Sequence, residues 1–198
     1  GAHQGGIQPA GEQEADGRVC VQPLFHAVHE EPAELASVSR ELLQPEPASI
    51  LIAAPPGVGK TTLLRALIRE AAREHTVSVI DERNELSCSV GGMPQLDLGM
   101  GSDVMVGVGK ARAFMMLLRG MNPQIIAMDE ITQAEDVSAV EQIAGCGVRI
   151  FATAHGRDRE EMRRRAIYRE LFDSGIFQKL VCIRMEAGKR SYTTQCLC

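Results

Sequence analysis

At 198 residues, 44% of them apolar and 24% charged, the chain is long enough for one substantial core, which excludes a stapled miniprotein, a collagen-like chain and a wholly disordered one. Its 21 basic and 26 acidic residues leave a formal charge of -5, so no global positive field draws it to nucleic acid or anionic lipid. The basic residues divide into 17 Arg and only 4 Lys (Lys60, Lys110, Lys179 and Lys189), so each lysine merits inspection.

Residues 1–18 hold five Gly and no aromatic residue, and we expect a disordered or added leader there. Residues 19–48 pair a short apolar stretch (Val19, Val21, Leu24, Phe25) with a helix expected over Pro32 to Leu43. That is too little for an independent domain, so the segment reads as an appendage to a domain spanning 49–198. From Ser49 onward, short apolar runs alternate with amphipathic ones. Strands are expected at SILIAAP, TVSVIDE, QIIAMDE and VRIFATAH, with helices at TTLLRALIREAAREH, KARAFMMLLRGM and AEDVSAVEQIAG between them. Continuous apolar strands separated by helices predict an α/β fold: a mostly parallel sheet with helices on both faces. An Arg-rich helix over 158–173 follows, and strands at KLVCIRM and SYTTQCL, joined through Glu186 to Lys189, form a C-terminal β-hairpin. Residues 84–109 carry six Gly and no period, and read as a long loop of the kind that is usually functional. Nucleotide-dependent switching and a disordered insert both fit that composition.

The first strand runs straight into Ala54-Pro55-Pro56-Gly57-Val58-Gly59-Lys60-Thr61-Thr62, and a helix opens at once. A strand, a glycine turn and a helix N-terminus in that order make a phosphate-binding loop, hence a P-loop NTPase. Gly57 and Gly59 let successive N–H groups around Pro56 and Val58 turn inward, Lys60 reaches the β- and γ-phosphates, and the Thr61 hydroxyl ligates Mg²⁺. Ala54 stands where the usual pattern has Gly.

Downstream, the strand QIIAMDE ends in Asp129 and Glu130, the arrangement of a Walker B element. Asp129 is the expected Mg²⁺ partner and Glu130 the base that orients and deprotonates water. In a parallel sheet the ends of VRIFATAH (Thr153, His155) and TVSVIDE (Asp81, Glu82, then Arg83) meet the same rim. Thr153 and His155 are candidate sensors of the γ-phosphate or the water. None of Lys110, Lys179 and Lys189 begins a Lys-x-Asp guanine signature, so ATP is the expected nucleotide. Thr132 with Glu135 reads as a capping box for the next helix.

The stretch from about Ser49 to Tyr192 resembles the stage III sporulation protein AA family. The resemblance rests on APPGVGKTTLLR, VIDERNEL, GMPQLDLG, MMLLRGMNPQIIAMDEI and ATAHGRD taken together. It implies a RecA-like (ASCE) ATPase related to the hexameric ATPases of type II and type IV secretion. Such a protein is cytoplasmic, works on the mother-cell side of a membrane channel or secretion-like complex, and assembles as a homo-oligomeric, hexameric ring. The resemblance also assigns Glu82 to an acidic box, His155 to a histidine box and Arg119 to the Leu-Arg pair before the Walker B strand. The family's N-terminal domain is larger than residues 1–48.

The arginines between Arg157 and Arg169 read either as a solvated face interleaved with acids or as an interface that points one arginine at a neighbour's γ-phosphate. Arg83 and Arg119 are alternatives for that contact. The apolar runs fall far short of the ~18 residues that span a bilayer. Six cysteines without a CxxC pair give neither a zinc site nor a disulfide framework, and Cys88, Cys146, Cys182 and Cys196 read as small core residues in a reducing compartment. The leading expectation is an Mg²⁺-dependent ATP-hydrolysing motor. An ATP-binding switch or scaffold is the alternative from another class, and a nucleic-acid motor is disfavoured by the acidic charge and the lack of Trp.

Overall fold

The computed structural model describes residues 19–21 and 33–197, so the expected leader and Leu24 and Phe25 lie outside the described residues. The elements in chain order are β1 (Val19–Val21), α1 (Ala33–Leu42), β2 (Ile50–Ala54), α2 (Lys60–Ala71), β3 (Val77–Asp81), β4 (Ser102–Val106) and α3 (Lys110–Met121). They continue as β5 (Ile125–Glu130), α4 (Ala134–Gly145), β6 (Arg149–His155), α5 (Arg159–Arg163), α6 (Ala166–Asp173), β7 (Lys179–Glu186) and β8 (Lys189–Cys196).

The eight strands form one sheet in the order β1-β4-β3-β5-β6-β2-β7-β8. All pairs from β4 across to β7 are parallel, and only the outer partners, β1 on β4 and β8 on β7, run antiparallel. Side chains alternate between faces along each strand, so one sheet supplies two cores. Leu51, Ile80, Ile126, Met128 and Ile150 face Phe114 and Leu117 of α3, Val140 of α4 and Leu171 of α6. Ile50, Ile52, Val79, Ala127 and Phe151 face Leu63 and Leu67 of α2 and Leu35 of α1. Burying each such side chain contributes about 1.5–3 kcal/mol, and covering both faces explains why the strands read as unbroken apolar runs.

Four local expectations are corrected. The segment 84–109 contains β4, a strand obscured in the sequence because Gly99, Gly101 and Gly107 bracket only five residues. The Arg-rich helix is two helices, broken at Arg164 and Arg165, with Arg165 extended at φ -93°, ψ 130°. The box opening α4 is shifted by one residue: Asp136, not Glu135, accepts from the Thr132 and Gln133 N–H groups and from the Thr132 hydroxyl. Of the four cysteines expected in the core, only Cys182 is buried; Cys88, Cys146 and Cys196 are exposed and free.

The C-terminal hairpin turns through Ala187 and Gly188, both at positive φ (49° and 78°), as a tight two-residue connection requires. At the other end of the sheet β4 begins hard against α2. A Cβ on Gly101 would lie 2.4 Å from the Ala72 carbonyl oxygen, a backbone atom with little room to yield.

Gly101→Ala is therefore expected to cost about 1–3 kcal/mol by overpacking. Gly120→Ala, where a Cβ meets nothing within 4 Å on the surface of α3, should be neutral or stabilising by about 0.5–1 kcal/mol. Urea denaturation of the two variants side by side checks both signs.

Candidate nucleotide site

The carboxyl ends of β2, β5 and β6 open onto a cleft of about 200 Å³ whose lining includes Pro56, Gly57, Lys60, Thr61, Asp129, Glu130, Thr153 and His155. Ala54 ends β2 in extended strand, a conformation Ala adopts as readily as Gly, so its place in the phosphate loop distorts nothing. The chain then reverses through Gly57 and Gly59, both in the left-handed region (φ 75° and 116°), and enters α2 at Lys60 without a side-chain cap. The first turn of a helix carries N–H groups that it cannot satisfy itself, and those of Lys60, Thr61 and Thr62 open beside the cleft.

Lys60 is 8% exposed. Its ammonium donates to Ala54 O (3.1 Å) and Pro55 O (3.5 Å) and to His155 Nδ1 (2.9 Å). An ammonium only donates, so Nδ1 must accept, which assigns the ring proton to Nε2. Burial holds the Lys60 ammonium below its ordinary range, partly opposed by the charges of Glu130 and Glu85.

Two consecutive acids should point to opposite faces of a strand. Here the register of β5 on β6 skips from Met128 opposite Ala152 to Glu130 opposite Thr153, so Asp129 is the extra residue of a bulge. The bulge re-aims the side chains, and both Asp129 and Glu130 line the cleft. His155 Nε2 lies 2.6 Å from Glu130 Oε1 but off the line of its N–H, and that oxygen is buried without an aligned donor. Tyr168 braces the pair from behind: its hydroxyl donates to Ile131 O (3.2 Å) and accepts from the His155 N–H (3.3 Å).

Asp129 is 6% exposed, and neither of its carboxylate oxygens has a hydrogen-bond donor in line. Such a carboxylate, facing the Thr61 hydroxyl end of α2 across one cleft, has the donor set a hydrated Mg²⁺ takes. Burial pushes its carboxyl up; Lys110 opposes this, while Glu82 and Asp81 add to it.

The remaining expected residues fall elsewhere. Val58, Gly59 and Thr62 belong to the loop and α2 but not to the cleft lining, whereas Arg83, Glu85, Leu64 and Leu86 do line it. Asp81 is spent on structure: its carboxylate takes the Glu85, Leu86 and Ser87 N–H groups and the Ser87 hydroxyl. Glu82 turns away from the cleft to Lys110, 2.8 Å distant. Arg119 is exposed in the last turn of α3. Nine residues beyond the rim-side start of that helix it lies about 13 Å further along, toward the opposite edge of the sheet, so the chain does not bring it to its own cleft.

Sequence reasoning missed two basic residues. Lys110 is 6% exposed, surrounded by Glu82, Asp129 and Asp136. Arg190, on β8, donates from Nε to Val58 O (2.9 Å) and lies over Gly59, whose Cβ would meet it at 3.1 Å. The scarcity of lysine was the one signal pointing to Lys110; Arg190 had none, because it acts across 132 positions.

A glycine loop opening onto a helix, two carboxylates on a neighbouring strand end and a parallel sheet with this strand order define a RecA-like P-loop ATPase fold. Among solved structures it is similar to the VirB11 ATPase of the Brucella suis type IV secretion system (TM-score 0.59, 19% identity, covering 82% of this chain and 52% of that one). It is also similar to the pilus retraction motor PilT (TM-score 0.56, 18% identity, 83% and 50% covered). The chain belongs to the family described as Sporulation stage III, protein AA, whose model matches residues 25–193. It is 32% identical to stage III sporulation protein AA of Bacillus subtilis over 70% of this chain, and spans 47% of that protein. It is 35% identical to the protein SEEDLING PLASTID DEVELOPMENT 1 of Arabidopsis thaliana over 61% of this chain and 18% of that one. The described residues contain no helix long and apolar enough to cross a membrane.

Because its surroundings oppose ionisation of Asp129, the neutral isostere Asp129→Asn should leave the thermal midpoint at or above the native value. The same change should remove Mg²⁺-dependent nucleotide binding. Scanning fluorimetry and nucleotide titration check the two halves.

Proposed function

We propose that the chain binds ATP with Mg²⁺ and hydrolyses it, as the motor domain (49–198) of a ring-forming subunit at a sporulation-associated membrane complex. The observation that carries the reading is the bulge in β5, which turns both Asp129 and Glu130 into the cleft of the phosphate loop. The N–H groups of the loop and α2 cradle the phosphates, Lys60 swings from Ala54 and Pro55 to the β- and γ-oxygens, and Thr61 and Asp129 would hold the metal. Mg²⁺, when bound, neutralises charge on the β- and γ-phosphate oxygens.

Glu130 accepts a proton from the attacking water, whose oxygen bonds to the γ-phosphorus as the bond to the β-γ bridging oxygen breaks, leaving ADP and inorganic phosphate. His155, between Lys60 and Glu130, keeps these two opposite charges from collapsing onto each other and reports the state of one to the other. The structure of VirB11 was solved with sulphate and that of PilT with ADP, which supports an anion and a nucleotide as ligands of this fold.

Those two proteins serve a secretion system and a pilus, which supports a motor role for this chain at a channel or secretion-like complex, and its sporulation family supports placing that complex on the mother-cell side. A hexameric ring brings an arginine of one subunit, from the α5–α6 segment or Arg119, to the next subunit's site. Arg119, far from its own cleft, is free to serve in that way.

Steady-state phosphate release is expected from the native chain. Lys60→Ala and Glu130→Gln should each lower it by at least ~10²-fold, since a general base contributes ~10² to 10⁴. Specific activity should rise with protein concentration alongside an ATP-dependent increase in light scattering. Nucleotide binding with equal, background release from native and variant chains would overturn the motor reading and leave a nucleotide-binding scaffold.

A further inference from the structure

Lys110 begins α3, where a cation opposes the helix dipole, and the first turn of that helix has no acid to offset it. It is also buried, which by itself disfavours its charge. Both costs are met by carboxylates from separate elements: Glu82 Oε2 after β3 (2.8 Å), Asp129 Oδ1 in the bulge of β5 (3.2 Å) and Asp136 Oδ1 in α4 (3.4 Å). The other oxygen of Asp136 holds the turn that follows Glu130, through Thr132 and Gln133. Lys110 does not line the cleft; it reaches Asp129 from outside the cleft lining. Among the described residues it makes the only ion pair with Asp129, at 3.2 Å from Oδ1, and neither Asp129 oxygen accepts an aligned hydrogen bond.

We propose that Lys110 is a positioning residue for the metal carboxylate: tied to Glu82 and Asp136, it holds Asp129 through Oδ1 where that carboxylate lines the cleft, so that Mg²⁺ strengthens nucleotide binding. The inference rests on the reading of the cleft as an Mg²⁺-nucleotide site. It assigns to the acidic box a role different from direct catalysis, since Glu82 acts through Lys110. Groups behind a metal ligand typically govern 10–100-fold in metal affinity, which sets the scale of the expected effect.

The test measures binding of the fluorescent analogue mant-ATP to the native chain and to Lys110→Met, in EDTA and in Mg²⁺. In the native chain Mg²⁺ should tighten binding. In Lys110→Met that gain should shrink by about 10–100-fold, the loss falling on the Mg²⁺ condition. Lys110→Arg, which keeps the charge, should recover part of it. An undiminished gain overturns the proposal. So does an equal loss in EDTA and in Mg²⁺, the mark of a merely structural role. If circular dichroism shows Lys110→Met unfolded, Glu82→Gln decides: it should reduce the gain, and an unchanged gain overturns the proposal. A native chain that binds mant-ATP under neither condition overturns the nucleotide reading, and this proposal with it. Native binding with a variant gain left intact overturns this proposal alone.

Discussion

Charge compensation at the carboxyl edge of the sheet is the constraint on which the rest of the molecule depends. Lys60, Lys110, Asp129 and Asp136 are all buried there, and an isolated buried charge is too costly to keep. Each is kept by partners from other elements: Lys60 by two loop carbonyls and His155, Lys110 by three carboxylates, Asp136 by Lys110 and the N–H groups that begin α4. Asp129 is the member least provided for, with one ion pair and two oxygens lacking an aligned donor. The edge thus satisfies Lys60, Lys110 and Asp136 and leaves Asp129, together with Oε1 of Glu130, short of aligned donors where both residues line the cleft.

The sheet makes this possible because its inner strands are parallel. Parallel pairing through β4, β3, β5, β6, β2 and β7 brings their carboxyl ends to one side, where loops can converge without disturbing the cores above and below. Two departures from regularity then tune the edge. The bulge in β5 sets neighbouring acids on one cleft, and the antiparallel hairpin of β7 and β8 returns Arg190 over the phosphate loop. Regular strands alone would have turned one acid of the pair away and left the outer side of the loop bare.

Much of the fold was legible along the chain. The strands from β2 onward, β4 apart, and the helices α3 and α4 were readable because a sheet covered on both faces needs continuous apolar runs, and helices lying on it need an apolar stripe. The hairpin turn was legible at Ala187 and Gly188. β4 was not, since five residues of mixed polarity between glycines carry too short a pattern. Nor was the break at Arg164 and Arg165, because charged side chains at those positions fit an unbroken exposed helix equally well.

What the sequence determined by itself was local chemistry: the glycine turn between strand and helix, the paired acids at a strand end, and the apolar periodicities that require a two-faced sheet. Each is set by residues within a few positions of one another. What only the tertiary structure decided was which charges meet. Lys110 with Asp129, His155 with Lys60, Glu82 turned from the cleft, Arg190 on Val58 and Arg119 at the far edge all depend on strand order and on one unpaired residue in β5. Contacts between such distant positions leave no periodicity along the chain, because they are selected by the cost of burying charge in the folded molecule.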